Sequence, residues 1–508
     1  MNEPSRTSYL AAPVLLRLHP GLVLALVIAA VFGIYLEMIN DGMVPDATDW
    51  AMYVMHARNI ITGHPYAETG YIFQPESSYM GANSYPSGFP LMLVPFYVAF
   101  GFKVRVFKVV SDVALALSLW PIYIFSRRFV APQNALLIVV ATAFCFEYVV
   151  TQNTINSDAP YQLLSFAALV FLFWIYDRGN DVYRGWIWGA LAGLLCAAAY
   201  LIRPVGAALL LAVAATELAR RRKLSVFAVA LLVTFASLVL INNAIFHKDD
   251  AYKSQFIFSS VLIARHAITY LGLLSYVFAN PLSHALRYLL WLPSVLLALL
   301  GLWTSVQRKG LTLVESYWVI MLGVLFVYHI PNARYLLPLL PIYLVYTVLG
   351  AEAVLQQVPQ AYRSGLRLLG VVALLLAPAI NLARIRTFNQ ETLIARPTFD
   401  HLCQQIGART GAHEYLLFWN PRVLALYTNR PSSTYPLSNP LQVQRFLNRI
   451  QPNYIVYEKD WKEDRKFLAP VIEAQPQRYV TVYENAQFKL MEVVGAPNRR
   501  LNPPAPIP

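Results

Sequence analysis

Residues 224–245 read LSVFAVALLVTFASLVLINNAI, a run without one charged side chain, and Arg220-Arg221-Arg222-Lys223 stand immediately before it. A helix needs roughly 20 mostly apolar residues to cross the hydrocarbon of a bilayer, so this segment reads as a transmembrane helix with a basic entry loop. Similar runs occupy Gly21–Leu36, Val109–Phe125 (with one acid, Asp112), Ala135–Phe146, Tyr161–Tyr176, Gly185–Ile202 and Pro204–Thr216. They continue at Tyr288–Val306, Tyr317–Tyr328, Tyr335–Val348 and Leu368–Leu382. The expectation is a polytopic all-α membrane bundle of about 11 transmembrane helices, the shorter ones tilted or merged. Composition agrees: 57% of the residues are hydrophobic and 13% charged, against about 25% charged in soluble domains.

The formal charge of +13 does not mark a nucleic-acid binder, because the bases are dispersed. They sit in alternate short loops: Arg127-Arg128, Arg178 with Arg184, the 220–223 cluster, Arg308-Lys309, and Arg363 with Arg367. Short cytoplasmic loops collect Lys and Arg. Placing these loops inside puts the N-terminus, with Arg6 and Arg17, in the cytoplasm. It puts Asn40–Tyr85, Thr151–Pro160, the Arg203-Pro204 turn, Phe246–Arg287, Ile330–Arg334 and the C-terminal tail outside an inner (plasma) membrane. Lys103, Arg105 and Lys108 fit this topology poorly; the reverse orientation misplaces five clusters. The first apolar run is long and no small-residue cleavage site follows it, so it reads as a retained helix rather than a signal peptide. Cys145, Cys196 and Cys403 make no disulfide framework, and Cys and His show no metal-ligand spacing.

Two regions interrupt the succession of spans. The outer loop 40–85 is long and rich in Pro, Gly, Asn, Asp and Tyr, and long ordered loops tend to be functional. Within it Asp46–Thr62 reads as a helix, with Asp46 as N-cap, Asp49 three residues on, and Gly63 and Pro65 after its end. Gly88–Phe100 is apolar but short, and is expected to lie in or re-enter the membrane near the outer face. After about Thr387 the composition becomes ordinary. Glu414–Trp419 and Tyr454–Tyr457 read as buried strands, Val480–Tyr483 and Phe488–Val494 as a hairpin around Glu484-Asn485, and Val443–Ile450 as a helix. The division is a transmembrane module over 1–386 and a small extracytoplasmic α/β domain over 387–508 that ends in a disordered Pro-rich stub.

Ionisable residues at membrane depth are costly and are functional candidates by default. Four fall at the outer face. Asp49 sits in the first turn of the outer-loop helix with Tyr53 one turn on; near a low-dielectric surface its pKa would rise and it could act as a general base, or it could simply complement the helix N-terminus. Asp158, in Asn156-Ser157-Asp158-Ala159-Pro160, stands where the chain re-enters the membrane and also suits the N-cap of the next span. Arg203, in Ile202-Arg203-Pro204, and Arg334, in Pro331-Asn332-Ala333-Arg334-Tyr335, run against the positive-inside trend. An anionic ligand is the simplest local reason, and an ion pair with Asp158 or another acid is the alternative. Two acids and two arginines suit a site that holds a phosphate and needs a base. His56, Arg58, His64, Glu68 and Glu76 read as solvated or locally paired, and His247 and His329 as structural.

In order and sidedness these features resemble the GT-C superfamily of polytopic glycosyltransferases, in the branch of protein O-mannosyltransferases and aminoarabinose transferases. The resemblance rests on Asp49-Trp50-Ala51-Met52-Tyr53 followed by Ala57-Arg58-Asn59 and Gly63-His64-Pro65-Tyr66. It continues in Tyr85-Pro86-Ser87-Gly88-Phe89-Pro90, Asn156-Ser157-Asp158, Arg203-Pro204, Arg334-Tyr335 with Pro338 and Pro341, and Asn420–Arg430 in the tail. Two positions depart: Tyr85-Pro86-Ser87-Gly88 stands where the aminoarabinose transferases have a Lys-Pro-Pro-Leu type sequence, and Trp50 stands where a second acid is common. Both point away from aminoarabinose as the sugar.

The resemblance implies a polyprenyl-phosphate-linked sugar as donor, its isoprenoid chain in a groove near Gly88–Phe100 and its phosphate on Arg203 and Arg334. Asp49 and Asp158 would be the catalytic acids, Asp49 as general base toward a hydroxyl of an acceptor glycan, lipid or protein, with inversion of the sugar. Tyr53, Tyr85 and Tyr335 would line the substrates. A divalent metal ion stays open, with no committed ligand set. The rival from another class is a transporter or flippase for an anionic or lipid-linked solute; internal repeats with midplane breaks would favour it, and none is evident.

Overall fold

In the computed structural model the described residues are 20–43, 49–76, 80–178, 185–246, 256–388 and 393–496. Arg6, Arg17, Asp46, Arg184, His247 and the Pro-rich end lie outside them. The bundle starts with α1 (Pro20–Met38), α2 (Asp49–Thr62), α3 (Gly88–Phe100), α4 (Val104–Ser126), α5 (Pro132–Ala143), α6 (Phe146–Thr151) and α7 (Asp158–Arg178). It continues with α8 (Trp186–Ile202), α9 (Ala207–Arg221), α10 (Val226–Phe246), α11 (Ser260–Leu274), α12 (His284–Lys309), α13 (Leu313–Val327), α14 (Leu340–Gln357) and α15 (Gln360–Ala383).

Eight helices among the described residues are long and apolar enough to cross a bilayer, and α3, α5, α8 and α13 are shorter apolar helices. This is a multi-pass membrane protein. Helices α4 and α7 bury 72% and 61% of their apolar windows, whereas α10 and α15 bury 17% each. The first pair is therefore the centre and the second pair faces lipid. Outward-pointing Leu240, Leu289, Leu296, Trp303 and Leu368 are exposed large apolar side chains that only hydrocarbon would solvate favourably. Inside the bundle α12 and α14 cross through reciprocal glycines. A Cβ on Gly301 would stand 2.0 Å from the Tyr346 carbonyl oxygen, and one on Gly350 1.9 Å from that of Leu297. Small residues at a crossing are how membrane helices bring backbones together.

The sequence places Phe246–Arg287 in an outer loop, but its described part contains an apolar helical stretch, Ser260–Phe278. Both ends touch the same rim of the bundle. Ahead of α11, the Ile257 amide donates to the Val327 carbonyl at 2.8 Å; beyond it, the Tyr276 ring meets Phe146 at 6.1 Å. The stretch runs along that rim, the rim where α7 begins, α8 ends and Arg334 lies. The basic cluster that fits the topology poorly has local partners there. Arg105 pairs with Asp41 at 2.7 Å, and Lys108 donates to the Asn40 carbonyl and Asn153 Oδ1, both at 2.8 Å. Arg105 and Lys108 tie the start of the first loop to α4, and Lys108 also reaches the α6–α7 turn.

The C-terminal region holds α16 (Pro397–Arg409), α17 (Pro421–Thr428), α18 (Pro440–Ile450) and α19 (Ala469–Glu473) around a five-stranded sheet. Strands β1 (Leu416–Leu417), β2 (Ser432–Ser433), β3 (Tyr454–Glu458), β4 (Tyr479–Glu484) and β5 (Phe488–Val493) lie in the order β2-β1-β3-β5-β4. β1 is parallel to β2 and β3. β5 is antiparallel to β3 and β4, with a bulge at Thr481/Tyr483. The expected hairpin is present, while the expected strand over Glu414–Trp419 contracts to two residues because α17 starts at Pro421. The outer loop docks on this sheet by strand addition: the Ile72 amide donates to the Ser432 carbonyl and the Ser432 amide to that of Gly70, both at 2.8 Å. Arg449–Glu76 at 2.6 Å and Gln74–Tyr415 at 3.1 Å reinforce the contact.

Candidate active site

Helix α2 buries every residue from Trp50 to Asn59 and so holds its first residue, Asp49, rigidly at the rim. Asp49 Oδ1 accepts from the Tyr85 hydroxyl at 2.6 Å and from Arg422 Nη1 at 3.1 Å, and Oδ2 accepts from Arg334 Nη2 at 3.1 Å. The side chain keeps 33% exposure. Burial pushes its pKa up, but Arg334, Arg422 and the Tyr85 hydroxyl outweigh burial and hold the carboxyl at about 2. The raised pKa expected of a general base is thus reversed in the resting site. Tyr53, one turn on, shares a hydrogen bond of 2.9 Å with Ser157 Oγ and packs edge-on against Tyr85 and Phe89 at 5.6 and 5.0 Å.

Asp158 opens α7, and Arg203 ends α8, where Pro204 forces the chain into a 3₁₀ turn. The two form an ion pair, with side chains 6% and 16% exposed. The alternative reading of Arg203 as a partner of Asp158 therefore describes the resting state. Tyr335 sits between the two arginines, its ring 5.1 Å from the Arg203 guanidinium carbon and 5.4 Å from that of Arg334. The turn of Arg203 is set by a close approach: a Cβ on Gly88, at the start of α3, would lie 2.6 Å from the Leu201 carbonyl carbon.

Asp49, Tyr53, Asp158, Arg203 and Arg334 line one small polar cavity of about 20 Å³, with Ser157 and Asn156. Beside it lies a larger, mainly apolar cavity of about 150 Å³, walled by Tyr161, Leu211, Phe256, Met321, Leu325 and Tyr335 among others. Asp158 and Arg203 line both. This apolar cavity is bounded by the α8–α9 turn, α13 and the segment before α14, and the residues that line it include none from Gly88–Phe100.

Two further side chains near Asp49 and Arg334 are not singled out by the sequence. Arg422 on α17 is 1% exposed and reaches Asp49 from the C-terminal region; its segment, Asn420–Arg430, enters the resemblance, but nothing in it singles out Arg422 as a site residue. Glu147 on α6 is pushed up to about 7 by burial, tempered by Arg334; its sole signal is an acid at the end of an apolar run. Of the other first-loop candidates, His56 bonds the Tyr66 carbonyl at 2.7 Å and stacks on its ring, and Glu76 pairs with Arg449. Arg58 is neither solvated nor paired: it is fully buried, its guanidinium nitrogens without hydrogen-bond partners among the described residues.

Both site carboxylates are already held by guanidinium groups, and no group of three His, Cys, Asp or Glu among the described residues is placed to hold a metal ion.

No sequence-family description matches the chain, and no curated protein matches it. Solved structures do. ArnT from Cupriavidus metallidurans, bound to undecaprenyl phosphate, superimposes with a TM-score of 0.59 at 12% identity, over 94% of this chain and 98% of its own. The chain has the GT-C fold. The Archaeoglobus fulgidus oligosaccharyltransferase AglB, in complex with an inhibitory peptide and a dolichol-phosphate, matches with a TM-score of 0.59 at 12% identity, over 93% of this chain and 74% of its own. The mycobacterial arabinofuranosyltransferase AftD matches with a TM-score of 0.55 at 14% identity, over 94% of this chain and 40% of its own.

Proposed function

We propose that this GT-C protein is a glycosyltransferase that moves a sugar from a polyprenyl-phosphate donor to an acceptor hydroxyl on the extracytoplasmic face. The supporting observation is the shared wall. A polar cavity with two carboxylates and two guanidiniums abuts an apolar cavity across Asp158–Arg203. A lipid phosphate has the matching build, one apolar chain and one anion at its end. The neighbours agree in kind: ArnT is bound to undecaprenyl phosphate and AglB to a dolichol-phosphate.

In this reading the first isoprene units occupy the apolar cavity and the phosphate meets Arg203 and Arg334, with Tyr335 between them. The acceptor hydroxyl enters the polar cavity beside Tyr53 and Tyr85. Its oxygen attacks the anomeric carbon as Asp49 takes its proton. The bond from that carbon to the phosphate oxygen breaks, with inversion, and the electron pair leaves on the phosphate. Cationic groups placed where negative charge develops stabilise such a departure. Asp158 is the second acid of the centre and holds Arg203 until the phosphate arrives. The division at 386/387, the cytoplasmic N-terminus and the extracytoplasmic C-terminal domain belong to the same proposal.

The test is transfer of radiolabelled sugar from a polyprenyl-phosphate donor by the purified protein. Asp49→Asn, folded and expressed, is expected to lose about 10²–10⁴-fold in rate, the usual contribution of a general base. Full activity in that variant would overturn the base assignment. Movement of the donor lipid across a bilayer without transfer would make the protein a flippase.

A further inference from the structure

Asp49 is approached from two sides by segments far apart in sequence. Arg334 comes from the membrane bundle and Arg422 from α17 of the C-terminal region. Besides its 3.1 Å bond to Asp49 Oδ1, the Arg422 guanidinium donates from Nη2 to the Met80 carbonyl at 2.7 Å. It also lies over the rings of Tyr71 and Tyr85, at 5.0 and 5.2 Å. A guanidinium this enclosed cannot swing out on its own; it moves with α17.

Building on the proposed function, we propose that Arg422 is a positioning residue of the reaction centre, so that the docked C-terminal region is part of the catalytic unit rather than a cover over it. A carboxylate has about four lone-pair sites. Tyr85 and Arg422 occupy both on Oδ1 and Arg334 occupies one on Oδ2, which leaves one on Oδ2 for an incoming hydroxyl. Without Arg422 the carboxylate can rotate about Cβ–Cγ and lose that aim. Docking is what holds Arg422 there: the strand pairing of Gly70 and Ile72 with Ser432 lies just upstream of Met80, and Arg449–Glu76 pins the same loop.

The charged and titratable groups facing Asp49 are Arg334, Arg422, Tyr85 and Tyr53, with Arg203 and Asp158 across the polar cavity. Removing one of the two contacting cations raises a carboxyl pKa by about one unit or more. An arginine that does not bear on the Asp49 carboxylate would not produce that shift, and the fall in kcat reports the lost aim.

The test compares Arg422→Met and Arg422→Lys in the full chain; Arg422→Gln replaces the Met variant if that one does not fold. Infrared titration follows the Asp49 carboxyl band, identified by its loss in Asp49→Asn. The band is expected to titrate at least about one unit higher in Arg422→Met than in the wild type, and to return toward the wild-type position in Arg422→Lys. The acid limb of kcat/KM, which reports the free enzyme, moves the same way, and kcat falls about a hundredfold, the scale of a misplaced reacting group. An unmoved carboxyl band overturns the proposal, even when activity is lost. If the wild type transfers no sugar, the proposed function fails while the band still decides the role of Arg422.

Discussion

Asp158→Asn removes the charge that occupies Arg203 and keeps the shape of the side chain. The pair is nearly sequestered, with Asp158 6% and Arg203 16% exposed. Removing one partner of a buried ion pair costs about 3–5 kcal/mol, much of it the penalty of leaving the other charge without a counterion. Arg203 keeps slight solvent access and the Tyr335 ring at 5.1 Å, so the lower end, about 3 kcal/mol, is the expectation. A phosphate entering from the apolar cavity can replace the lost carboxylate. If it restores half of that loss, about 1.5 kcal/mol is transferred to binding, which tightens Kd about tenfold. The assay is binding of polyprenyl phosphate to the purified protein in detergent, together with thermal unfolding with and without the lipid. The variant should melt below the wild type when lipid-free, bind the lipid phosphate about tenfold more tightly, and gain more from its addition. A folded variant that binds polyprenyl phosphate no better than the wild type would refute the competition between Asp158 and the phosphate for Arg203.

Gly88→Ala places a Cβ 2.6 Å from the Leu201 carbonyl carbon, so α3 or the Arg203 turn must shift; transfer is expected to fall about tenfold to a hundredfold in a protein that elutes as a folded monodisperse species, measured as kcat/KM for the donor. Stability should also depend on pH through Asp464 in the C-terminal region. Burial pushes its carboxyl up to about 7, opposed by bonds from the Tyr435 hydroxyl and the Glu458 amide, while the unfolded chain titrates near 3.9. Between those values the folded protein holds a proton that the unfolded chain has lost, so this contribution is complete at low pH and is lost as pH rises through about 7. The unfolding midpoint of the full chain should be higher at pH 5 than at pH 8, and Asp464→Asn should flatten the difference.

The spans were legible because hydrocarbon imposes a length and a composition on every segment that crosses it. The four rim residues were legible for the same reason, since Asp49, Asp158, Arg203 and Arg334 break that composition at loop ends. The helix within 260–278 was not legible as a rim element. Its apolarity is that of a span, and what places it is the Ile257–Val327 bond just ahead of it, the His266 contact with the Phe326 carbonyl and the Tyr276 contact with Phe146. The site of the apolar cavity was also hidden. Residues such as Leu211, Met321 and Phe256 carry no signal alone, and their convergence depends on how α9 and α13 pack. Arg422 shows the limit most plainly. In sequence it is one arginine of the Asn420–Arg430 segment that enters the resemblance, and its contact with Asp49 spans 373 residues; no local pattern encodes a contact of that order.

The resting pKa of Asp49 looks adverse for a base, yet the charge inventory of the centre shows how it would recover. Asp49 and Asp158 contribute two negative charges and Arg203, Arg334 and Arg422 three positive ones, which leaves one net positive charge. Glu147, pushed up to about 7 by burial, is neutral below that pH and leaves the balance intact. A sugar–phosphate–polyprenol diester carries one negative charge and neutralises the centre. Its arrival beside Arg334 draws that guanidinium from Asp49 and adds a nearby negative charge, and both effects raise the Asp49 pKa toward the range a base needs. When Asp49 then accepts the hydroxyl proton, the centre gains a positive charge at the moment the leaving phosphate gains a negative one. Neutrality is kept at both ends of the proposed reaction without an external ion. In the proposed reaction Arg334, which quenches Asp49 at rest, would become available to the phosphate at the step where its charge grows while Arg422 keeps the carboxylate in place, and a carboxylate shared between arginines is the arrangement that permits the exchange.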